Sequence, residues 1–282
     1  MKFHQKPNTY VSHVKINVQD LYRSIQFYQQ TLGFDILEKT DTQAILTADG
    51  NTSILSLEQP KNAEPKQART TGLYHFAILL PNRADLANFV FHCIENNVRL
   101  GSSDHLVSEA LYFNDPDGNG IEVYIDKDPE TWTWQNDQVA MAVDPLDFED
   151  LLKEGQQGAW QGLPAQTLMG HIHLHVANMA ETKTFYEKGL GFETVSRFGD
   201  QALFISTGKY HHHIGLNTWN GVGAPPPSEN SVGLASYTLT YPSKQALDEV
   251  VFNLTAIGVP VEQEQKQIII KDPSKNNIII TY

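Results

Sequence analysis

Three residues of types that can bind a divalent metal occupy positions that should face the same side of their predicted strands: His13, His75 and Glu122. Around His13 apolar residues alternate with polar ones, which is the period of a strand with one buried face. Neighbouring side chains of a strand point to opposite faces, so His13 is expected on the open face. The same counting places His75 and Glu122 on that face. Two imidazoles and one carboxylate match the 2-His-1-carboxylate arrangement, which leaves positions on the ion free for substrate and dioxygen.

The strands that would carry these residues belong to a repeated pattern. The segments SHVKINV and FYQQTLGF return as GHIHLHV and FYEKGLGF, and both His13 to His171 and Gly33 to Gly191 are 158 positions apart. Each half contains twice the order strand, helix and three strands. Asp20 and Gly33 are typical of the start and the end of the first helix. The sequence therefore predicts an α+β protein of four βαβββ modules.

The repeat also predicts how the chain is divided. Residues 1–126 form an N-terminal domain with modules 1 and 2 and the metal site, and residues 167–282 form a C-terminal domain with modules 3 and 4. Residues 127–166 break the repeat and contain several prolines and glycines, which is typical of a linker.

The second half keeps a histidine at the first-strand position but not the rest of the set. Ser236 and Ile279 stand at the positions equivalent to the second and third candidate ligands, so the triad is expected to be incomplete there. Histidines are nonetheless frequent in GHIHLHV and YHHHIGLNTW. One interpretation is a second, noncatalytic metal site that uses His171 and His213. The other is a hydrogen-bonded polar cavity left after duplication, and the sequence leaves both open.

Composition excludes several classes of function. The chain has 33 acidic and 20 basic residues, a net charge of −13 that would repel nucleic acids and anionic membrane surfaces. Its apolar runs are shorter than the roughly 20 residues that cross a bilayer. The single cysteine, Cys93, cannot form an internal disulfide, and the first residues lack the pattern of a signal peptide. A cytoplasmic protein without nucleic-acid or membrane partners is expected.

These segments together resemble the vicinal oxygen chelate superfamily, and within it the two-domain extradiol dioxygenases of the catechol 2,3-dioxygenase type. The resemblance covers nearly the whole chain, and its most specific part is the segment SDHLVSEALYFNDPDGNGIEVY. It implies in each domain a curved mixed sheet around a cavity, with helices outside. It also implies that His13, His75 and Glu122 bind Fe(II), with Mn(II) as the alternative metal.

The resemblance further implies a ring-cleaving reaction on a catechol-like or hydroquinone-like diol, with insertion of both atoms of O2. Tyr112 stands where these dioxygenases carry a tyrosine close to the substrate. The chain departs from the family pattern in two respects. Its complete triad lies in the first half, and the region before His75 lacks the family's acid/base histidine. His105 is the substitute candidate for proton transfer, together with Tyr112.

Two other functions stay open on the same fold. A glyoxalase-like lyase or metal-dependent thiol transferase would use a carboxylate from the last strand of module 1, where Glu58 is the candidate at the trailing edge. A non-enzymatic protein could instead sequester an aromatic compound without metal. The expected partners of the enzyme are a small aromatic diol and O2, and a homodimer is one option for its assembly.

Overall fold

The computed structural model describes residues 2–264 and 267–282, and its first half follows the predicted order of elements. Module 1 comprises β1 (Tyr10–Asn17), α1 (Leu21–Phe27) with a following π-turn (Tyr28–Leu32), β2 (Asp35–Lys39), β3 (Gln43–Thr47) and β4 (Ser53–Glu58). Module 2 comprises β5 (Gly72–Leu79), α2 (Arg83–Glu95), β6 (Gly101–Asp104), β7 (Ser108–Asn114) and β8 (Gly120–Asp126).

A connecting segment with little regular structure leads to the second half. It contains a 3₁₀ turn (Pro129–Thr131), β9 (Trp134–Gln135), β10 (Gln138–Val139), α3 (Phe148–Leu151) and a second 3₁₀ turn (Leu152–Glu154). Module 3 comprises β11 (Leu168–His175), α4 (Met179–Thr184) with its π-turn (Phe185–Gly189), β12 (Glu193–Phe198), β13 (Ala202–Ser206) and β14 (Ile214–Asn217). Module 4 comprises β15 (Gly233–Thr240), α5 (Lys244–Ala256), β16 (Glu262–Glu264), β17 (Gln267–Lys271) and β18 (Asn277–Thr281).

The strands form two eight-stranded sheets, and each sheet combines one module from each half of the chain. The first has the order β16-β17-β18-β15-β1-β4-β3-β2, and the second has the order β12-β13-β14-β11-β5-β8-β7-β6. Antiparallel pairing of β1 with β15 and of β11 with β5 joins the modules. The α+β plan of four modules is confirmed. The sheets nevertheless join module 1 to module 4 and module 2 to module 3, which corrects the expected pairing within each half.

Local sequence signals account for the ends of the first helix. The side chain of Asp20 accepts a hydrogen bond from the backbone nitrogen of Arg23, as an N-cap does. Gly33 ends the following turn with φ +81°, a left-handed conformation that favours glycine. The predicted apolar face of this segment is buried and packs under the sheet: Leu21, Ile25, Tyr28 and Leu32.

A tyrosine of each segment FYQQTLGF and FYEKGLGF contacts an aspartate of the following module, and these contacts connect modules that lie in different sheets. The hydroxyl of Tyr28, in module 1, donates to Oδ2 of Asp115, in the turn before β8, at 3.0 Å. Asp115 also accepts from the side-chain amide of Asn119. Tyr186 and Asp272 repeat this contact at 3.1 Å in the second half. The turn that precedes β8 is therefore held by the helix of the neighbouring module.

The helices of the described residues cover the outer faces of the sheets, and their apolar side chains form one continuous core with both sheets. Every helix in this part of the chain is too short or too polar to cross a lipid bilayer.

Candidate metal centre

Three buried side chains meet on one face of the sheet that modules 2 and 3 share. They are His75 from β5, Glu122 from β8 and His171 from β11. Oε2 of Glu122 lies 3.0 Å from Nε2 of His75 and 3.0 Å from Nε2 of His171. All three candidate ligand atoms lie within 4.8 Å of one another.

The register of the central strand β5 explains this meeting. Ala77 is paired with Glu122 on one side and with His171 on the other, so the three side chains form a row across the sheet. His75 precedes Ala77 by two residues and points to the same face. The methyl group of Ala77 leaves space above the strand between the three donors. A short residue at position 77 is therefore part of how the site is built.

A local irregularity in β11 directs His171 into the row. The register with β5 shifts between Met169 and His171, which places Gly170 in a bulge. A Cβ atom at position 170 would lie 2.1 Å from Oη of Tyr124, so the close approach requires glycine. The bulge and the glycine together set the direction of the histidine that follows them.

The donor set fits a divalent metal ion. Nε2 of His75 is buried and close to the carboxylate, yet it makes no hydrogen bond among the described residues. Two ligand atoms at right angles, each about 2.1 Å from an octahedral ion, lie about 3.0 Å apart. The observed separations therefore suit donors that converge on one ion, and nitrogen with carboxylate oxygen is a ligand set for iron or manganese.

The electrostatics of Glu122 favour its charged form. Burial opposes ionisation, but the imidazoles of His171 and His75 outweigh this effect and hold the pKa of the carboxyl well below its usual range. The site thus offers a cation an ionised carboxylate between two imidazoles.

His13 does not join this cluster, so its assignment as the first ligand is wrong. It lies on β1 in the other sheet, where its Nε2 is 2.9 Å from Oγ of Ser56. The row equivalent to the metal centre consists there of His13, Thr238 and Ile279. Ser236 replaces the remaining histidine, as the alignment of the two halves indicated. The incomplete set therefore lies in the sheet of modules 1 and 4.

The structure also places the residues of two alternatives that the sequence left open. His171 completes the main cluster instead of forming a second site with His213. Nε2 of His213 lies 3.2 Å from the backbone oxygen of Phe3, away from the cluster. Glu58, considered for a lyase, forms an ion pair with Lys15 in the other sheet.

A cavity of about 480 Å³ opens beside the cluster. Its apolar wall is largely aromatic and comprises Tyr74, Phe198, Phe204 and Trp219 among others. Polar groups reach it from His105, Tyr112, His173 and His212. The cavity is large enough for a single-ring aromatic molecule and adjoins the candidate ligands His75 and Glu122, which also line it.

His105 and Tyr112, both singled out from the sequence, form a hydrogen-bonded pair in this cavity. Nδ1 of His105 lies 2.6 Å from the backbone oxygen of Ala142, and its Nε2 lies 2.6 Å from Oη of Tyr112. The carbonyl oxygen can only accept, so Nδ1 carries hydrogen and neutral His105 accepts from the tyrosine hydroxyl. Burial and the charge of Glu122 raise the pKa of Tyr112 well above its usual value. The phenol therefore stays protonated.

Sequence reasoning missed two histidines of the cavity, His173 and His212. The amide nitrogen of Asn217 donates to Nε2 of His173 at 3.0 Å. His212 packs against the ring of His171, with ring centroids 4.1 Å apart. The alternation in HIHLHV indicated that His173 faces the same side as His171. Alternation in YHHHIGL likewise indicated that His212 faces the side opposite to His211 and His213. Only the pairing of modules 2 and 3 brings His173 and His212 to the candidate metal centre.

A comparison with models of protein families identifies the superfamily of this chain. A family model described as the glyoxalase/bleomycin resistance protein/dioxygenase superfamily matches residues 10–123 and 168–280. The chain belongs to this superfamily.

Among curated proteins, the chain is 45% identical over 271 residues to a catechol-2,3-dioxygenase of Bacillus subtilis strain 168, covering 94% of each chain. It is 34% identical over 119 residues to a metallothiol transferase of Staphylococcus epidermidis, covering 41% of this chain and 81% of the transferase. The expected superfamily and the expected enzyme class, a catechol 2,3-dioxygenase-like oxidoreductase, are confirmed.

Solved structures show the same fold at low sequence identity. A putative dioxygenase from B. subtilis aligns with a TM-score of 0.64 at 16% identity, covering 98% of this chain and 86% of that chain. Glyoxalase I from Zea mays aligns with a TM-score of 0.59 at 16% identity, covering 96% and 92%. These two likenesses concern the fold alone.

Proposed function

We propose that this superfamily member is an extradiol dioxygenase that inserts both atoms of O2 into a catechol-like or hydroquinone-like diol. The observation that carries the proposal is the convergence of His75, Glu122 and His171 beside an aromatic-walled cavity. The similarity to a catechol-2,3-dioxygenase over nearly the whole chain supports it. When bound there, Fe(II) or Mn(II) would supply adjacent coordination positions for a diol and dioxygen and pass electron density between them.

The cavity wall binds and orients the ring of the diol. The rings of Tyr74 and Trp219, with centroids 5.3 Å apart, stand close to His173 on one side of the cavity. Aromatic side chains bury large apolar areas and favour stacked or edge-to-face contacts with another ring. The wall thus selects a flat aromatic molecule and excludes water from the ring.

His212 is placed to accept a proton from the diol, and burial, which lowers the pKa of its imidazole well below the usual value, keeps the ring neutral in the free protein. Its Nδ1 is engaged with the neighbouring His211 at 2.8 Å, whereas its Nε2 has no hydrogen-bond partner in the described part of the chain. His212 lines the cavity and packs against the candidate ligand His171. A general base must lie within hydrogen-bond reach of the proton it removes, and Nε2 is the nitrogen available for this contact.

Tyr112 and His105 act on the other side of the cluster. Tyr112 is paired with Glu122 across β7 and β8, so its hydroxyl lies beside the candidate ligand. Because its single hydrogen is donated to His105, the oxygen of Tyr112 can accept a hydrogen bond from a hydroxyl of the substrate, while His105 holds the phenol in place. Positioned acid and base groups of this kind each contribute roughly 100- to 10,000-fold to a rate.

Oxygen uptake with a panel of diols tests the proposed function. Protein purified without oxygen and reloaded with Fe(II) or Mn(II) should consume one O2 per diol and form a ring-opened product. The matched control substrate is 2-methoxyphenol, in which a methyl group blocks one of the two oxygens. Conversion of a thiol or of a hemithioacetal without oxygen uptake would instead support a transferase or lyase and contradict the proposal.

A further inference from the structure

Three side chains behind the cavity wall form a continuous hydrogen-bonded row. Oδ1 of Asp126 lies 2.8 Å from Nε2 of His211, and Nδ1 of His211 lies 2.8 Å from Nδ1 of His212. His211 is fully buried, and His212 is buried except where it borders the cavity. The row therefore runs from a carboxylate at the end of β8 to an imidazole that lines the cavity.

With both imidazoles neutral, the donors and acceptors of the row fix where each hydrogen lies. A carboxylate only accepts, so Nε2 of His211 carries its hydrogen toward Asp126. Nδ1 of neutral His211 is then an acceptor and takes a hydrogen bond from Nδ1 of His212. This leaves the lone pair of His212 on Nε2. The hydrogen bond at one ring nitrogen thus decides which form the other nitrogen presents to the cavity.

The surroundings of the row hold its members in place. Asp126 also accepts from Oη of Tyr210 at 3.0 Å, and Tyr210 is itself 2.7 Å from Oη of Tyr124. The ring of His212 lies between His171 and Phe204, with centroid distances of 4.1 and 5.1 Å. Rotation of either imidazole would break a buried hydrogen bond, so the orientation is as restricted as the tautomer.

We propose that Asp126 and His211 are positioning residues that hold His212 in the tautomer with a free lone pair at Nε2. This inference rests on the proposed function, in which that nitrogen receives a proton of the diol. The two residues act through His212 and contact neither the substrate nor the candidate metal ligands' donor atoms. Nothing in the row is oxidised or reduced, and no bond changes other than hydrogen bonds.

Nitrogen-15 NMR of the full-length, metal-free protein tests the tautomer without any reaction. With labelled histidines, Nε2 of His212 should show the shift of an unprotonated imidazole nitrogen and Nδ1 that of a protonated one. His211→Phe removes the acceptor, so the signal of His212 should move toward the Nε2-protonated form. His213→Phe is the matched control, because it makes the same change at the adjacent buried histidine outside the row. It should leave the His212 shifts in place.

Kinetics of the metal-loaded protein give a second readout. Asp126→Asn, which keeps the shape but adds a competing donor, should lower kcat for oxygen uptake roughly 10- to 100-fold with KM for the diol unchanged. A protonated Nε2 in the wild-type protein, or His212 shifts unaffected by His211→Phe, would overturn the inference. A kcat of Asp126→Asn equal to that of the wild type would also overturn the inference. Failure of the wild type to consume oxygen would reject the proposed function and leave the NMR result to decide the tautomer.

Discussion

One carboxylate oxygen lies between the two imidazoles of the candidate centre. Oε2 of Glu122 lies 3.0 Å from Nε2 of both His75 and His171, and all three residues are nearly fully buried. A buried polar atom without a partner costs about 1–3 kcal/mol. Nε2 of His75 has no hydrogen-bond partner in the described part of the chain, so a cation that takes its lone pair is expected to stabilise the fold as well as complete the site.

His171 and His13 occupy equivalent positions in the first strands of modules 3 and 1, and their substitution should have opposite effects on metal retention. His171→Ala should abolish both metal retention and oxygen uptake, because it removes one of three protein ligands. His13→Ala is the matched control at the equivalent position of the other sheet, where the histidine contacts Ser56. It should retain both properties. Metal analysis of the purified variants and an oxygen electrode measure the outcome, and metal loss in His13→Ala would contradict the assignment.

Acid should destabilise the metal-free protein through His4. Its Nε2 donates to the backbone oxygen of Gly170 at 2.7 Å, and burial lowers its pKa from 6.5 to about 4. As the pH falls below 6.5 the unfolded chain takes up a proton that the folded chain refuses until about pH 4. The contribution of His4 to the free energy of unfolding is therefore complete above pH 6.5 and decreases as the pH falls from 6.5 to about 4. Between pH 7 and pH 5 we expect a loss of about 2 kcal/mol from this residue.

Urea unfolding at both pH values measures this loss. His4→Gln keeps a donor for the oxygen of Gly170 but cannot titrate. Between pH 7 and pH 5 the free energy of unfolding of this variant should therefore fall by about 2 kcal/mol less than that of the wild type. An identical change in the wild type and the variant would show that His4 does not carry the effect.

At the scale of single elements, β5 builds the centre because it lies between the strands of the other two ligands. Ala77 stands between Glu122 and His171 in the row across the sheet. Ala77→Leu should fill the space between the donors and abolish metal retention. Overpacking of this kind typically costs about 1–3 kcal/mol, so the fold should persist.

Thr238→Leu is the matched control for the substitution in β5. Thr238 occupies the equivalent place in β15, between His13 and Ile279. Metal content and circular dichroism of both variants separate a local block from a loss of fold. Full metal content in Ala77→Leu would contradict the position assigned to the ion.

At the scale of the whole molecule, the decisive feature is the exchange of modules between the two halves. Each sheet draws its central antiparallel pair from distant parts of the chain, β1 with β15 and β5 with β11. Contacts such as that of Tyr28 with Asp115 meanwhile hold successive modules together. The division into 1–126, 127–166 and 167–282 stays a prediction from the sequence. Neither eight-stranded sheet is contained in one half of the chain.

Engineered disulfides test the exchange. Lys15 and Ser236 are paired across β1 and β15, and directly opposite residues of antiparallel strands have Cα atoms about 4.5–5.5 Å apart. Cysteines at these two positions should form a disulfide. Pairing within one half would instead place Lys15 opposite His75, so cysteines at 15 and 75 are the control and should stay reduced. Mass spectrometry of non-reduced peptides identifies the linkage, and a disulfide only in the control would contradict the sheet order.

Local patterns in the sequence were sufficient for the elements and for the direction of single side chains. Alternation around His75 and Glu122 predicted the face on which both meet, and Asp20 and Gly33 marked the ends of the first helix. His105 and Tyr112 were placed in the cavity by their resemblance to family motifs. These features depend on dihedral preferences and on burial within a few residues, so the local sequence contains the information for them.

The sequence by itself therefore determined four α+β modules, the open face of each first strand and a pair of candidate metal ligands in module 2. Only the tertiary structure decided that His171, and not His13, completes the site. Both histidines occupy equivalent positions in the repeat, and backbone hydrogen bonds form equally well with either partner strand. The choice depends on how the edges of distant strands and the packed helices fit together, which is a property of the whole chain.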